Sequence, residues 1–459
     1  MYLNDTEVES FIREGFYGGR NEIFIPGFNG ECWSQDINSA YPYQMITNKF
    51  PVGKAIKIYG KPTKLNFGFI YAKVSYYPDK TEKQIIPVLP IYDHVLKKLI
   101  WPIGSFTGTW FSEELNYAEQ NEYIIERLQG VEYDKSNNLF KRYVDYYYNK
   151  KIECSKNKDI PGKYLAKLKL NALYGLLALK SEYIDAEIIN NLDITDDPFI
   201  SNTKPLDDNG NWSLILKHNY ASIKGYESAE YKKLFSKKYV ISPSVINKIN
   251  KDNRINSVQV SASITSYARI ELHIIMREII CNGGKILYVD TDSIYSTNPI
   301  NYSRIGNEIG KLSQSKIKEF YASNNKMYSY INEKGELETF AKGLKNNTAI
   351  GKLQKQLVKG EISLVISEEI LFARKMFVNI FLERKDKQTK LVYSKRNVIK
   401  YEPVINKVYQ VKITNKGGCT YLIDKEKFSK EWYETSPLIY KNIQVKLKQN
   451  LLIKILKLC

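Results

Sequence analysis

The chain has 459 residues, long enough for several subdomains around a sizeable shared core. Its 68 Lys and Arg against 50 Asp and Glu give a net charge of +18, which points to a polyanionic partner. Five scattered cysteines without a CxxC pair, and only three histidines, argue against a disulfide framework, a zinc site or a His-dependent nucleophile, and fit a reducing compartment. No apolar run approaches the roughly 18 residues of a membrane span, and Met1-Tyr-Leu-Asn-Asp-Thr-Glu7 is neither a signal nor a transit peptide. The abundance of Lys, Asn, Ile and Tyr (36 Tyr) reflects A/T-rich codons and says nothing about chemistry.

Thr6-Glu-Val-Glu9 reads as a capping box opening a short helix through Arg13, which also accounts for the acidic pair Asp5 and Glu7. Phe16-Tyr-Gly-Gly-Arg20 follows. Its two glycines let a backbone approach a phosphate strand, or simply make a turn. Cys32–Ile37 is predicted as a strand that carries Asp36 near its end, and Pro42 then leads into a helix at Tyr43–Ile46. A carboxylate so placed suits a metal ligand or an N-cap. Residues 52–140 alternate strand-like runs (Phe67–Val74, Ile85–Leu89) with turns and a charged helix at Ser112–Arg127, and read as scaffold or partner surface.

Asn138–Leu179 is predicted helical. Within it Lys163, Lys167, Asn171 and Tyr174 fall inside an arc of roughly 80° at about 100° per residue, beside an apolar stripe of Ala166, Leu170, Leu173 and Leu177. Such a face suits a triphosphate, with Lys as point charges and Tyr174 as a stacking surface, although two lysines one turn apart are also common on a solvated face. Gly175 lets something pass close to this helix. Residues 180–258 are polar and read as an insertion. A helix over Ser261–Ile280 then leads to a buried strand, Ile286–Val289, and a returning strand, Ser293–Tyr295. Asp290 and Asp292 lie between them, and on an extended backbone both face one side. Two such anions repel unless a cation lies between them, and Mg2+ takes carboxylate oxygens together with substrate phosphates. A polar turn is the plainer alternative. A helix at Ile305–Tyr321, a strand at Asn325–Ile331 and alternating basic helices and strands over 346–459 complete the chain. Ala341–Gly360 and Lys441–Cys459 each hold five lysines and no acid, which favours nucleic acid as the partner.

Asp36-Ile-Asn-Ser-Ala-Tyr-Pro42, Lys167-Leu-Lys-Leu-Asn-Ala-Leu-Tyr-Gly175 and Tyr288-Val-Asp-Thr-Asp-Ser293 resemble, in order, motifs A, B and C of family B DNA polymerases. The resemblance covers roughly residues 10–345. It is closest to the protein-primed subgroup of certain phages and mitochondrial linear plasmids, because Phe16-Tyr-Gly-Gly19 is similar to its YxGG element and Lys326-Met-Tyr328 to its KxY element. Motif B departs in having Ala172 where Ser is usual. Only about 15 residues precede the YxGG-like element, so the expectation is a polymerase region without the exonuclease domain. The resemblance implies Asp36 and Asp290 as ligands of two Mg2+ ions (with Mn2+ as a substitute) and Asp292 as an auxiliary carboxylate. It implies Lys163 and Lys167 on the triphosphate, Asn171, Tyr174 and Gly175 around the nucleotide, and Tyr41 under the sugar. Gly18 and Gly19 would touch template, and Lys326 and Tyr328 primer.

The implied fold is an α+β right hand. Its palm would take residues 1–51 and 259–345, its fingers 141–180 and its basic thumb 346–459, with insertions resembling the two terminal-protein regions at 52–140 and 181–258. The implied partners are primer-template DNA, deoxynucleoside triphosphates and a terminal priming protein, with no membrane. The implied setting is the mitochondrion or a viral host's cytoplasm. Two rival readings are a reverse transcriptase, which would show adjacent aspartates where Thr291 intervenes here, and a catalytically silent nucleic-acid-binding remnant. The presence of all three carboxylates and both lysines argues against decay.

Overall fold

A computed structural model describes residues 5–178 (without 26, 29, 80–83 and 95–97), 183–190, 200–205, 212–219, 257–341, 362–372, 380–389, 395–400, 405–413, 419–429 and 434–440. The chain runs through α1 (Asp5–Glu14), β1 (Asn21–Ile23), β2 (Gly27–Phe28), β3 (Cys32–Ile37), α2 (Ala40–Thr47), β4 (Phe50–Lys57) and β5 (Gly68–Tyr76). Next come β6 (Ile91–Asp93), β7 (Lys98–Ile100), β8 (Ile103–Phe111), α3 (Ser112–Gln120), β9 (Ile124–Ser136), α4 (Lys141–Lys156) and α5 (Ile160–Leu177). Strands β10 (Tyr183–Asn190), β11 (Ile200–Pro205) and β12 (Trp212–Asn219) precede α6 (Val258–Cys281), β13 (Ile286–Asp290), β14 (Ser293–Ser296), β15 (Leu312–Asn324), β16 (Met327–Asn332) and β17 (Leu337–Ala341). The last elements are β18 (Ile362–Phe372), β19 (Ile380–Thr389), β20 (Arg396–Lys400), β21 (Ile405–Ile413), β22 (Cys419–Ser429), β23 (Glu434–Pro437) and β24 (Ile439–Tyr440).

The chain divides into two compact units, Met1–Asn171 with Ala262–Cys459, and Ala172–Ser261. The first is built on an antiparallel sheet in the order β1-β13-β14-β3-β15-β16-β17, with β2 also on β15. The near-continuous apolar run Ile286–Val289 is the mark of a strand covered on both faces. On one face Leu272, Ile275, Met276 and Ile279 of α6 pack on Ile37, Ile286, Val289 and Ile294. On the other lie Leu287, Tyr288, Tyr295, Phe320 and Tyr328. Each fully buried side chain of this size contributes roughly 1.5–3 kcal/mol.

A second sheet in this unit, β24-β8-β5-β9-β4, closes over Ile70, Val74, Phe106, Trp110 and Leu115, the last from α3. One buried ion pair ties α6 to α3: Arg269 grips both oxygens of Glu114 at 2.6 and 2.7 Å. The same guanidinium donates to the carbonyls of Tyr17 and Gly18, which fixes the glycine loop ahead of β1. Farther along, β18 lies between β19 and β21 and pairs with β21 in parallel, while β20 pairs with β23. In the smaller unit β12 lies between β10 and β11, and Ser261 Oγ donates to the Tyr174 carbonyl at 2.6 Å. Of the lysine-rich stretches Ala341–Gly360 and Lys441–Cys459, all but Ala341 lies outside the described residues. Among the described residues no helix is long and apolar enough to cross a membrane.

Several local expectations are overturned, each by a long-range partner or a turn. The helix expected over Ile305–Tyr321 is instead a bend followed by β15, a central strand between β3 and β16. Gly310, at φ +83° and pressed against the Tyr43 ring, turns the chain where a helix would have to continue. The predicted helix Ser112–Arg127 stops at Gln120, because Glu122 adopts φ +67° and the rest joins the sheet as β9. Ile85–Leu89 is no strand. Pro87 and Pro90 spoil a ladder, and side chains satisfy its backbone: the Ile85, Ile86 and Pro87 carbonyls accept from Arg396, His273 and Arg20, and Tyr123 receives the Val88 and Leu89 amides. The long helix Asn138–Leu179 breaks into α4 and α5, where Asp159 accepts from the Gly162 amide at 2.9 Å as an N-cap. Finally, α1 begins at Asp5, so Thr6 lies inside the helix and not at its cap.

His273 of α6 is buried with both nitrogens engaged. Nε2–H donates to the Ile86 carbonyl at 2.9 Å, so Nδ1 accepts from the Tyr117 hydroxyl at 2.8 Å. Burial holds its pKa down at about 3, against an ordinary 6.5. The unfolded chain therefore takes up a proton below 6.5 that the folded ring refuses. Its contribution to stability is complete above that value and fades as pH falls towards 3, by about 1.4 kcal/mol per unit. Urea melts of the wild type and His273→Gln between pH 7 and 4 should differ by that slope; parallel pH profiles would contradict it.

Candidate active site

The β13–β14 hairpin and β3 place Asp290, Ser293 and Asp36 in one cross-strand row, with Asp290 opposite Ser293 and Ser293 opposite Asp36. Residues in such a row point to the same face, which here is the aromatic one, opposite α6. Two ladder spacings, roughly 10 Å, separate the backbones of Asp36 and Asp290. Thr291 and Asp292 form the two-residue turn between the strands, so Asp292 reaches the site through a turn and not through the extended alternation expected from sequence.

That turn is strained. Thr291 has φ +65°, a conformation that costs a β-branched residue about 1–3 kcal/mol. Three contacts hold it. The Thr291 amide donates to the Arg20 carbonyl at 2.7 Å, the Ile37 amide donates to the Asp292 carbonyl at 2.9 Å, and Gly19 packs on the Thr291 side chain. A Cβ at Gly19 would stand 2.7 Å from Thr291 Cγ2, whereas one at Gly18 would meet nothing within 4 Å. Only Gly18 of the pair is free of a packing role.

Asp290 accepts from Lys326 Nζ at 2.9 Å, and from the Tyr288 hydroxyl and Thr291 Oγ1 at 3.3 Å each. The Tyr288 oxygen in turn accepts from Asn21 Nδ2 and the Lys326 amide, both at 3.0 Å. Burial, then the neighbouring Asp36 and Asp290 charges, push the Asp292 carboxyl up to about 7. Burial also raises Asp36, with Lys167 opposing. Lys151 of α4, unremarkable in the sequence, reaches Ser39 Oγ at 3.3 Å in the loop after Asp36. Burial, then Lys167 and Lys163, lower the pKa of its ammonium, so three lysines gather near one another, with Lys167 close enough to act on Asp36. The signal that could have revealed Lys151 is non-local, since α4 and α5 bring it to the other two.

Residues 1–280 match the family model for DNA polymerase type B, organellar and viral. The chain belongs to that family. Among its relatives, a probable DNA polymerase of Podospora anserina is 30% identical over 355 residues, covering 73% of this chain and 27% of the relative. One of Neurospora intermedia is 27% identical, covering 77% and 35%, and the DNA polymerase of Bacillus phage PZA is 29% identical over 181 residues, covering 38% and 31%. The chain thus spans about a quarter to a third of these relatives' lengths. Phi29 DNA polymerase, solved with primer-template DNA and incoming nucleotide, shares the α+β polymerase fold at TM-score 0.54 and 16% identity, over 93% of this chain and 63% of that one.

The remaining residues implied by the type B resemblance are placed as follows. Lys163, Lys167 and Asn171 are exposed on α5, anchored by buried Ala166 and Leu170. Tyr174 and Gly175 belong to the smaller unit. Tyr41 is half-buried in the first turn of α2. Tyr328 is buried, stacked 4.7 Å from Phe340, in the aromatic bed beneath the carboxylates.

The Gly19–Thr291 contact predicts that Gly19→Ala destabilises the protein by about 1–3 kcal/mol through overpacking. Thr291→Gly, which removes every clashing atom and tolerates the positive φ, should recover most of that loss in the double variant. Thermal denaturation of the four proteins decides it, and additive losses would show that the contact is not the cause.

Proposed function

We propose that this chain catalyses template-directed addition of deoxynucleotides to a primer 3′-hydroxyl, in protein-primed replication of a linear plasmid or viral-type element of mitochondria. The observation that carries this reading is the row Asp290–Ser293–Asp36 with Asp292 beside it, faced by three lysines. The type B relatives named DNA polymerase, and the capture of a phage enzyme of this fold with primer-template and nucleotide, support it.

The donor set fits divalent cations. Among the described residues no group of three or more His, Cys, Asp or Glu is arranged to hold a metal alone. Mg2+ characteristically takes one or two carboxylates and completes its shell with substrate phosphates and water. Asp36 and Asp290 would supply those carboxylates, and the repulsion that adds to burial in raising Asp292 is what a cation relieves. Two such ions, when bound, activate the attacking hydroxyl and stabilise the leaving pyrophosphate.

The protein's own task is positioning and charge neutralisation, which phosphoryl transfer needs more than a protein nucleophile. In this reading Lys151, Lys163 and Lys167 receive the triphosphate, assisted by the open N-terminus of α2, where Ser39 makes no side-chain cap bond. The Tyr41 ring fills the space a 2′-hydroxyl would need. Lys326 meets the primer end and Gly18 the template, while a terminal priming protein supplies the first hydroxyl.

Asp290→Asn should lower primer extension with Mg2+ by about a hundredfold or more, at the scale of a lost transition-state contact, with primer-template binding retained. Near-normal extension would sink the metal assignment. Lys151→Ala should raise the KM for nucleotide about tenfold, the value of one charge-assisted contact, with kcat changed far less. If kcat falls and KM holds, Lys151 does not bind the ground-state triphosphate.

A further inference from the structure

We propose that Arg396, from the C-terminal part of the chain, is a positioning residue for the Asp290–Asp292 turn, acting through Glu22 and Arg20. The proposal rests on the polymerase reading above for its kinetic consequence, but its structural consequence stands apart from that reading.

The strand that supports the turn is short. β1 has three residues and, among the described residues, lies at the edge of its sheet and pairs with β13 alone, Asn21 opposite Asp290. An edge strand of this length has little of its own to hold it. Its anchor is electrostatic: Glu22, fully buried, accepts at Oε2 from Arg20 Nε and Nη2 at 2.9 and 2.7 Å, and at Oε1 from Arg396 Nη1 at 3.0 Å. Both arginines are 2% exposed. Arg20 is further fixed over the rings of Trp101 and Phe24, at 4.8 and 5.2 Å, and by the Pro87 carbonyl at 2.8 Å. Arg396 stands over the Phe24 ring at 4.5 Å.

Arg20 thus has two ends. Its side chain is locked to Glu22, and its carbonyl receives the Thr291 amide. Without Arg396, Glu22 Oε1 would lose the donor the structure gives it there, in a place water does not reach. A buried carboxylate so deprived is strongly unfavourable. The relief available is a shift of β1, which would carry Arg20 and release the strained Thr291 turn.

The delivery of Arg396 is itself well anchored. Its neighbour Lys395 donates to the Asn21 carbonyl at 2.7 Å, directly across from Asp290. Arg396 opens β20 and pairs with Pro437 of β23, and just beyond, Leu438 accepts from the Ile103 amide at 2.9 Å as β24 joins β8. The C-terminal ribbon is therefore fastened both to the second sheet and to the edge of the first.

The test compares wild type, Arg396→Gln, Arg396→Lys and Glu22→Gln by amide hydrogen exchange and by steady-state primer extension. In Arg396→Gln the Thr291 amide should exchange about tenfold faster or more, through local opening, while amides of β5 and β8 keep their protection. The maximal extension rate should fall about tenfold with KM for nucleotide little changed, Glu22→Gln should behave alike, and Arg396→Lys should recover part of both effects. An unchanged Thr291 amide in a folded Arg396→Gln protein would overturn the proposal. If that variant unfolds globally, Arg396→Lys decides, and a lysine variant with wild-type exchange elsewhere but no recovery at Thr291 would also overturn it. Absence of extension by the wild type would instead refute the polymerase reading and leave the exchange result to judge the clamp.

Discussion

Like charges crowded at one end of a sheet are the constraint on which this structure turns. Burial, with the Asp36 and Asp290 charges added to it, pushes the Asp292 carboxyl up to about 7, so the ionised form of this group is disfavoured where the sheet places it. The fold answers with a hairpin pinned from both sides: the Asp292 carbonyl is held by β3 and the Thr291 amide by the loop ahead of β1. A threonine at φ +65° persists only because those surroundings over-determine it. Strain at this position is what a two-residue hairpin turn costs when a threonine occupies its positive-φ position.

The supports share a design. Arg269 with Glu114, and Arg20 and Arg396 with Glu22, are buried ion groups that reach the two residues flanking the glycine contact. Burial pushes the Glu22 carboxyl up, and the two arginines more than reverse it, holding it below the usual carboxylate value. Such groups contribute little net stability compared with well-packed apolar side chains, since desolvation offsets most of their attraction. Their value here is directional. A guanidinium fork fixes both distance and angle, so the Tyr17 and Gly18 carbonyls and the Arg20 side chain are held in a directed geometry that apolar packing would not specify.

What the sequence revealed follows from how far apart the cooperating residues lie. Ile286–Val289 and Cys32–Ile37 were legible because a strand covered on both faces, and a strand ended by a polar turn, carry their signal within a few residues. The bend and strand replacing the helix expected at Ile305–Tyr321 were not, because β15 is decided by β3, some 280 residues upstream in register terms (Ser313 opposite Asp36). Lys151 and Arg396 were missed for the same reason. Each acts through a group on another element, and nothing in its own neighbourhood distinguishes it from the other cations of a strongly basic chain.

The tyrosines make the last point. Their number reads as a codon bias, and a bias could be satisfied anywhere on the surface. Yet Tyr288, Tyr295, Tyr328 and Tyr330 line one bed with Phe320 and Phe340, with ring centroids 4.6 to 6.3 Å apart. Phenylalanine would fill the same space. What it would lack is the Tyr288 oxygen, which collects the Asn21 amide nitrogen and the Lys326 main chain while donating to Asp290. Through that one atom the sheet edge, the turn before β16 and the carboxylate are kept in mutual register. A rigid apolar floor carrying a few directed hydroxyls does for the side chain of Asp290 what the buried arginines do for the backbone behind it.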